Sequence, residues 1–211
     1  MGTETALIFG SVCAPSWAYL DGLRQQAPLV ICADGGVNRA REAGFTPDFY
    51  IGDGDSGGQA GDLEAVLLPT QKDLTDMQAA CLAAAERGAK HLILTACTGG
   101  RQDHHLANLQ LLETLQAMGL DAVILDACNE IRFITPGRYR VNAGAYRYFS
   151  LIPVTPTLEG LSITGAKYPL DRATARRGDS LTVSNEVTAD YAEVVLWSGA
   201  AWLIRSEPCD D

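Results

Sequence analysis

The sequence has few of the side chains that bind zinc and none of the closely spaced cysteine pairs that mark zinc or redox sites. Of its three histidines, His104 and His105 are adjacent and cannot both face one site on a helix. The six cysteines form no C-x-x-C pair, and most lie in apolar runs: Cys13, Cys32, Cys81, Cys97, Cys128 and Cys209. We therefore expect no histidine-rich metal centre, and we interpret the cysteines as reduced core residues of a cytoplasmic protein, in preference to disulfides or a zinc site.

Positive charge is also scarce. Sixteen Lys and Arg residues face 26 Asp and Glu residues, which gives a formal net charge of −10. Such a chain is a poor partner for nucleic acid or for an acidic membrane surface, although a small anion can still bind beside a metal ion and a few local cations. The N-terminal MGTETALIFG has no basic region and only a short apolar run, so we expect neither a signal peptide nor a membrane span.

Residues 1–127 alternate short apolar runs with helical patterns. The runs are continuous and bounded by Gly, Asp or Pro, as in strands that are buried on both faces. Predicted strands cover 6–10, 29–33, 49–52, 65–70, 91–96 and 122–127, and predicted helices cover 16–26, 37–44, 75–88 and 106–119. This alternation predicts an N-terminal α/β domain with a mostly parallel sheet covered by helices.

Three of the helical patterns carry end signals. Gly44, Gly88 and Gly119 stand where helices stop, and Thr75-x-x-Gln78 has the form of a capping box. The last helix is expected to present one apolar face, formed by Leu106, Leu109, Leu112, Leu115 and Met118.

After residue 128 the pattern changes to strand-like segments separated by Pro, Gly, Asn or Asp. They are EIRFIT, YRV, AYRYFSLIPV, LEGLSIT, SLTVSNE, YAEVVLW and AWLIR. Because no long amphipathic helix interrupts them, residues 128–211 are predicted to form a C-terminal all-β sandwich domain.

Acidic residues follow several of the N-terminal strands. Asp34 follows LVICA, Asp53 and Asp55 follow FYIG, Asp73 and Asp76 follow VLLPT, and Asp103 follows LILTA. Ligands of open α/β sheets bind beyond the carboxyl ends of the strands, so these acids are expected to converge. Helix capping is the alternative for Asp76 and Asp103 taken singly. Oxygen ligands without histidine or thiolate favour magnesium or calcium over zinc.

A calcium loop is an alternative for the acids after FYIG. Counted from Asp53, the sequence has Asp at positions one and three, Gly at six and Glu64 at twelve, as in an EF-hand. Position five is glycine, and the preceding FTPDFYIG is a strand pattern that contains Pro47 rather than a helix. These departures count against calcium.

The stretch TACTGGRQDHHLAN suggests a phosphate-binding turn. Gly99 and Gly100 lie between a predicted strand and a predicted helix, where backbone N–H groups and the helix dipole can hold phosphate, and Arg101 can add a forked contact. No G-K-[ST] follows, so this is not a Walker A loop. A tight turn uses the same glycines, and the same alternative applies to Gly35 and Gly36 in ADGG.

Four segments together resemble the thiamine pyrophosphokinase family. They are ADGGVNRA, the P-D-x-x-I-G-D-x-D-S pattern at 47–56, KDLTDMQAA at 72–80 and GGRQDHHLAN at 99–108, in that order. GAKYPLDRAT and SLTVSNE resemble the β-domain of the same family, so the resemblance spans roughly residues 30–190. One departure is Gly54, which stands where the family usually has a bulky aromatic residue.

The resemblance implies an enzyme that transfers diphosphate from ATP to the hydroxyl group of thiamine and releases AMP. It implies that residues 1–127 form the catalytic domain that binds ATP and magnesium (Mg2+), and that residues 128–211 form a thiamine-binding β-sandwich within a homodimer. Magnesium neutralises phosphate charge in such reactions.

Site residues follow from the resemblance position by position. The metal ligands are Asp53, Asp55 and Asp76, and the catalytic group adds Asp103 and Arg101. Whether Asp103 accepts the proton of the hydroxyl group or binds metal stays open. His105 is at a variable position and receives no role. Residues expected to bind ATP or thiamine are Asp34, Gly35, Gly36, Asn38, Asp73, Thr75, Gly99, Gly100, Ser184 and Asn185.

Two other functions fit parts of the sequence. Asp103-His104-His105 matches the D-H-H tripeptide of metal-dependent phosphoesterases and pyrophosphatases, but only His91 is left to supply their further histidines. A non-catalytic nucleotide-binding protein is the other alternative. The acids present at every motif argue against it, because binding alone does not require them all.

Overall fold

The structure, a computed structural model, describes residues 4–26, 28–52, 63–67 and 73–208. The chain divides into two compact units, Met1–Ala127 and Cys128–Asp211, here called the N-terminal and C-terminal units. Asp53 and Asp55 lie outside the described residues, as do Gly54 and most of the pattern compared with a calcium loop.

The N-terminal unit contains six parallel strands in the order β4-β3-β2-β1-β5-β6. Central strands are buried on both faces, and Leu7, Ile8 and Phe9 of β1 have no exposed surface. This confirms the mostly parallel sheet predicted from continuous apolar runs. The strands are β1 Thr5–Phe9, β2 Leu29–Ala33, β3 Phe49–Gly52, β4 Glu64–Leu67, β5 His91–Thr95 and β6 Asp121–Leu125.

Among the described residues, four α-helices and one 3-10 turn connect these strands. The first helical segment is shorter than predicted and splits into the 3-10 turn Ala18–Leu20 and α1, Asp21–Arg24, since Gly22 lowers its helix propensity. The others are α2 Gly36–Glu42, α3 Asp76–Glu86 and α4 Gln102–Ala117. Within the described part of the chain, no helix is long and apolar enough to cross a membrane.

The helix ends agree with their sequence signals. Gly44, Gly88 and Gly119 have φ values of 77°, 92° and 78°, which is the left-handed conformation that ends many helices. Thr75 caps α3, because its side chain accepts a hydrogen bond from the Gln78 N–H at 3.2 Å. The helix ends are thus determined by local chemistry.

The apolar face predicted for α4 is wrong at both ends. Leu109, Leu112 and Leu115 are buried, but Leu106 and Met118 are about half exposed. Residues three apart are separated by about 300° on a helix, so each step rotates the stripe by about 60°. Five such residues therefore cannot share one face, and Leu111 joins the buried side instead.

The C-terminal unit contains two antiparallel sheets, which confirms the predicted sandwich. One has the order β12-β9-β14-β7 and the other β11-β10-β13-β8. Their buried side chains form one core, with Leu151 and Leu203 from the first sheet and Leu161 and Val194 from the second. The strands are β7 Asn129–Ile134, β8 Gly137–Asn142, β9 Tyr148–Pro153, β10 Thr157–Thr164, β11 Leu170–Arg176, β12 Asn185–Glu186, β13 Tyr191–Leu196 and β14 Ala201–Ser206.

Two strand assignments in this unit need correction. SLTVSNE is a strand only at Asn185–Glu186, because the Val183 N–H closes a turn onto the Ser180 carbonyl and Ser184 has a φ of 58°. Strand β11 was not predicted as a strand. Its sequence, LDRATAR, is rich in charged and small residues and lacks the β-branched aliphatic and aromatic residues that typify strands.

The cysteine interpretation is wrong for Cys128 and Cys13. Cys128 is disulfide-bonded, and Cys13 is exposed, whereas Cys32, Cys81 and Cys97 are buried free thiols. The Glu207 N–H donates to the Cys128 carbonyl at 2.9 Å, so Glu207 lies beside Cys128. Because Glu207 and Cys128 are far apart in sequence, no local pattern indicates this contact. Cys209 lies outside the described residues.

Candidate active site

A cavity of about 520 Å³ lies at the carboxyl ends of β1, β2 and β5 in the N-terminal unit. This is the edge of an open α/β sheet where ligands bind. The starts of α3 and α4 complete the wall. The lining residues are Gly10, Ser11, Val12, Cys13, Ala33, Asp34, Thr75, Asp76, Met77, Ala96, Cys97, Gly99, Gly100, Arg101, His104 and Asn108.

Close backbone approaches shape this edge. A Cβ atom at Gly10 would lie 2.5 Å from the Ala96 carbonyl oxygen, and one at Gly36 would lie 2.2 Å from the Phe9 carbonyl oxygen. Two hydrogen bonds join the chain after β1 to the chain after β5, from the Gly10 N–H to Thr95 and from the Val12 N–H to Ala96. The close approaches at positions 10 and 36 require glycine. The two hydrogen bonds hold the loops after β1 and β5 side by side.

Asp34 follows β2 in a strained conformation. Its φ is 52°, and its N–H donates to the Ile51 carbonyl at 2.9 Å, next to the end of β3. Its Oδ1 atom is buried and has no hydrogen-bond partner among the described residues. A buried carboxylate oxygen without a donor costs stability, and strain of this kind concentrates at functional sites. Asp34 Oδ1 can therefore still accept a hydrogen bond or a positive group.

The acid at the start of α3 is not the helix cap. Thr75 occupies the cap position and uses its own hydroxyl group, whereas Asp76 is the first helical residue and lines the cavity. This removes the capping explanation for Asp76. Its carboxylate and that of Asp34 border the same cavity.

The loop formed by residues 96–100 is fixed residue by residue. The Ala96 carbonyl accepts from Val12, the Cys97 carbonyl accepts from the buried Asn108 side chain at 2.8 Å, and the Thr98 hydroxyl donates to Asp126 at 2.8 Å. Cys97 is not an ionised nucleophile, because burial raises the pKa of its thiol to about 12. The loop is rigid where it borders the cavity.

The two glycines of this loop differ in their hydrogen bonding. Gly99 and Gly100 have φ values of 82° and 61°, in the left-handed region. The Gly99 N–H donates to Nδ1 of His105 at 3.0 Å. Among the described residues, the Gly100 N–H has no acceptor. It is therefore Gly100, together with the start of α4, that offers a backbone donor to an anion.

Arg101 and Asp103 pair with each other. The Arg101 guanidinium donates from Nε to Oδ1 at 3.2 Å and from Nη2 to Oδ2 at 2.6 Å, and both side chains are well exposed. These bonds, together with the His104 N–H, hold the pKa of Asp103 below its ordinary value. Arg101 lines the cavity, whereas Asp103 does not.

The structure thus brings together part of the predicted site. Asp34, Thr75, Asp76, Gly99, Gly100 and Arg101 line one cavity. Others lie outside its wall: Gly35, Gly36, Asn38, Asp73 and Asp103. Gly35 and Gly36 serve the turn into α2, where Gly35 packs against the Ser11 side chain and Gly36 against the end of β1.

Ser184 and Asn185 belong to the C-terminal unit. Asn185 is only 5% exposed, and its amide group makes three hydrogen bonds. Its Oδ1 accepts from the N–H groups of Tyr168 and Glu186, and its Nδ2 donates to the Tyr168 carbonyl at 2.9 Å. Asn185 therefore fixes the backbone of Tyr168, whose ring is 55% exposed.

Several lining residues were missed by sequence reasoning. Ser11, Val12 and Cys13 follow β1, and the rule that ligands bind beyond strand ends could have located them. These three residues include no acid and no glycine pair, which were the sequence signals used to predict binding residues. His104 and Asn108 lie within the quoted GGRQDHHLAN motif, but their roles depend on which helix face meets the loop.

We expect Asp34→Asn to stabilise the free protein. The substitution removes the negative charge shared by the buried Oδ1 of Asp34, an atom without a donor among the described residues, and asparagine tolerates a positive φ. A relief of about 1 kcal/mol raises the melting temperature of a chain of this size by about 2–4 °C. Thermal unfolding followed by circular dichroism measures the shift.

Asp171→Asn is the matched control. That side chain is 92% exposed, so its substitution should leave the melting temperature within about 1 °C. An Asp34→Asn variant that melts at or below the wild-type temperature would mean that Asp34 already has a stabilising partner.

Comparison with known families identifies both parts of the chain. The family model described as thiamin pyrophosphokinase, catalytic domain, matches residues 20–124. The model described as thiamin pyrophosphokinase, vitamin B1 binding domain, matches residues 138–200. The candidate cavity is lined largely by residues within the first match.

Known proteins agree with these matches. The thiamine pyrophosphokinase of Bacillus subtilis (strain 168) is 30% identical over 195 residues, which cover 89% of this chain and 91% of that protein. The crystal structure of thiamine pyrophosphokinase from Bacillus subtilis has a TM-score of 0.88 at 29% identity and covers 97% of this chain and 100% of that one. That of thiamin pyrophosphokinase from Geobacillus thermodenitrificans has a TM-score of 0.84 at 32% identity and covers 98% and 99%. The chain belongs to the thiamine pyrophosphokinase family of enzymes.

Proposed function

We propose that this enzyme transfers the β,γ-diphosphate of ATP to the hydroxyl group of thiamine and releases AMP and thiamine diphosphate. The observation that carries the proposal is the cavity in the N-terminal unit, where Asp34 and Asp76 border the same space as the Gly100 turn. A polyphosphate requires this combination of oxygen ligands for a cation and backbone donors for its own oxygens.

The triphosphate of ATP is assigned to the glycine side of this cavity. The Gly100 N–H and the start of α4 provide a positive dipole end, and Arg101 provides a forked cation. Its exposed ion pair with Asp103 is weak in water, so a phosphate group can replace the carboxylate.

The donor set fits magnesium. Asp34 and Asp76 present only oxygen atoms, and the partnerless Asp34 Oδ1 accounts for one unfilled contact. We assign the ion to Asp53, Asp55 and Asp76, with Asp34 beside them, because Asp53 and Asp55 follow β3 directly and the end of β3 lies next to Asp34. When bound, magnesium neutralises phosphate oxygens and aligns the chain of phosphates.

The chain's own residues orient the reaction. The thiamine oxygen bonds to the β-phosphorus while the bond from that phosphorus to the α,β-bridging oxygen breaks, and this oxygen leaves with AMP. The hydroxyl proton passes to a carboxylate, for which Asp103 is the candidate once Arg101 has turned to phosphate. The Arg101 hydrogen bonds are the main cause of the lowered pKa of Asp103; after they break, the His104 N–H still favours the ionised carboxylate that a proton acceptor must be.

Thiamine recognition is assigned to the C-terminal unit, through Ser184, Asn185 and the segment that Asn185 fixes at Tyr168.

We also propose a homodimer in the cytoplasm. Large exposed apolar side chains in this unit support an interface: Tyr168, Leu181, Val183, Tyr191 and Trp197. Light scattering of the purified protein distinguishes a dimer from a monomer.

The two alternative functions are not favoured. The family matches point to a diphosphokinase, and His105 uses Nδ1 to accept a backbone N–H. Among the described residues, no group of three His, Cys, Asp or Glu side chains is arranged to hold a metal ion.

Product analysis tests the proposal. Purified protein incubated with ATP, magnesium chloride and thiamine should yield AMP and thiamine diphosphate in equal amounts, measured by chromatography. ADP with thiamine monophosphate would instead indicate an ordinary kinase, and phosphate release without thiamine would indicate a hydrolase.

Asp55→Asn should reduce the rate of diphosphate transfer by roughly a thousandfold, because a metal contact worth several kcal/mol in the transition state is lost.

The Asn185 assignment has its own test. Asn185→Ala leaves the partly buried N–H of Tyr168 without its acceptor, so the melting temperature should fall by about 2–4 °C. The KM for thiamine should rise about tenfold, while the KM for ATP stays within about twofold.

Asn142→Ala is the matched control, since Asn142 is an exposed asparagine on β8 whose side-chain oxygen accepts a hydrogen bond from Arg140 at 2.8 Å. It should change neither KM. Equal increases in both KM values for Asn185→Ala would contradict the thiamine assignment and make Asn185 purely structural.

A further inference from the structure

His105 makes a contact that no motif in the sequence indicates. It is the fourth residue of α4, and its N–H donates to the Arg101 carbonyl at 3.0 Å within the first turn of the helix. Its half-buried ring reaches back over this turn, where Nδ1 lies 3.0 Å from the Gly99 nitrogen. One side chain thus connects the start of the helix to the loop in front of it.

The partner atom determines the protonation state of the ring. A backbone amide only donates, so Nδ1 of His105 must carry a lone pair, and in the neutral ring the proton is on Nε2. The interaction requires an acceptor at this position of the side chain rather than a positive charge.

The contact differs in kind from the other anchors of the 96–100 loop. Those anchors hold the carbonyls of Ala96 and Cys97 and the side chain of Thr98. Among the described residues, His105 alone binds a backbone N–H of the two glycines. Because Gly99 and Gly100 have no Cβ, side-chain sterics do little to fix their conformation. The bond to His105 holds the peptide between Thr98 and Gly99 and thereby limits the directions in which the Gly100 N–H can point.

We propose that His105 is a positioning residue that fixes Gly99 and thereby aims the Gly100 N–H at a phosphate group of the bound nucleotide. The inference rests on the proposed function for the identity of the nucleotide, but the Gly99 contact stands independently of it. His105 does not touch the reacting atoms. It acts through the loop, by reducing the number of conformations that the two glycines must lose when phosphate binds.

Three variants test the role. His105→Leu keeps an apolar side chain of similar reach but removes the acceptor, whereas His105→Asn places Oδ1 close to the position of Nδ1 and restores it. We expect His105→Leu to raise the KM for ATP about tenfold, which corresponds to one lost hydrogen bond, and to leave the KM for thiamine within about twofold. His105→Asn should recover most of the loss.

His91→Leu is the control for histidine removal, because His91 is exposed at the start of β5, the opposite end of the strand from the cavity, and pairs with Asp121. It should leave both KM values unchanged. A His105→Leu enzyme with an unchanged KM for ATP, or one that His105→Asn does not rescue, would overturn the proposal.

Hydrogen exchange of the Gly99 amide provides a readout that does not depend on catalysis. The amide should be protected in the wild type and in His105→Asn, and should exchange at least about tenfold faster in His105→Leu. Equal exchange in all three proteins would refute the contact itself. A wild-type protein with a protected Gly99 amide but no diphosphate transfer would refute the proposed function and leave the positioning of the loop in place.

Discussion

The close packing of glycine backbone against the sheet edge determines the geometry of the candidate site. Gly10 lies against the Ala96 carbonyl and Gly36 against the Phe9 carbonyl, at distances that exclude any side chain. These contacts bring the loops after β1 and β5 together and set the start of α2 against the end of β1. A larger residue at either position would separate the loops that border the cavity.

Around this frame, the site combines rigid and unsatisfied groups. The 96–100 loop is anchored by Val12, Asn108, Asp126 and His105, so its left-handed glycines are held before any ligand binds. In contrast to this anchored loop, Asp34 has a strained backbone and a buried side-chain oxygen that lacks a hydrogen-bond donor among the described residues. Preorganised donors for phosphate and unfilled acceptors for a cation are the two requirements of phosphoryl transfer without covalent catalysis by the protein.

Much of this arrangement was predictable because it depends on local chemistry. Continuous apolar runs identified the parallel strands, and acids after strand ends identified the edge where Asp34 and Asp76 line a cavity. The family motifs predicted the fold and the activity. Thr75 was predicted as a cap, and its hydroxyl group does cap α3. These features need only a residue and its near neighbours in sequence.

The features that were missed depend on tertiary contacts. His105 gained a role only because the first turn of α4 places Nδ1 against Gly99, and Asn185 meets Tyr168, 17 positions earlier. Likewise Thr182 binds the Leu151 backbone across 31 positions, which explains why SLTVSNE is mostly a turn. Hydrogen-bond partners so distant in sequence leave no periodic pattern to read.

The central claim is that the cavity at the carboxyl ends of β1, β2 and β5 binds the nucleotide and its metal. The most direct test is a crystal structure with magnesium and an ATP analogue in which a methylene group replaces the α,β-bridging oxygen. This replacement prevents the transfer, because the bond from the β-phosphorus to that oxygen is the one that the transfer breaks. We predict phosphate oxygens within hydrogen-bonding distance of the Gly100 N–H and a magnesium ion beside Asp34 and Asp76. A nucleotide bound elsewhere, with this cavity empty, would contradict the account.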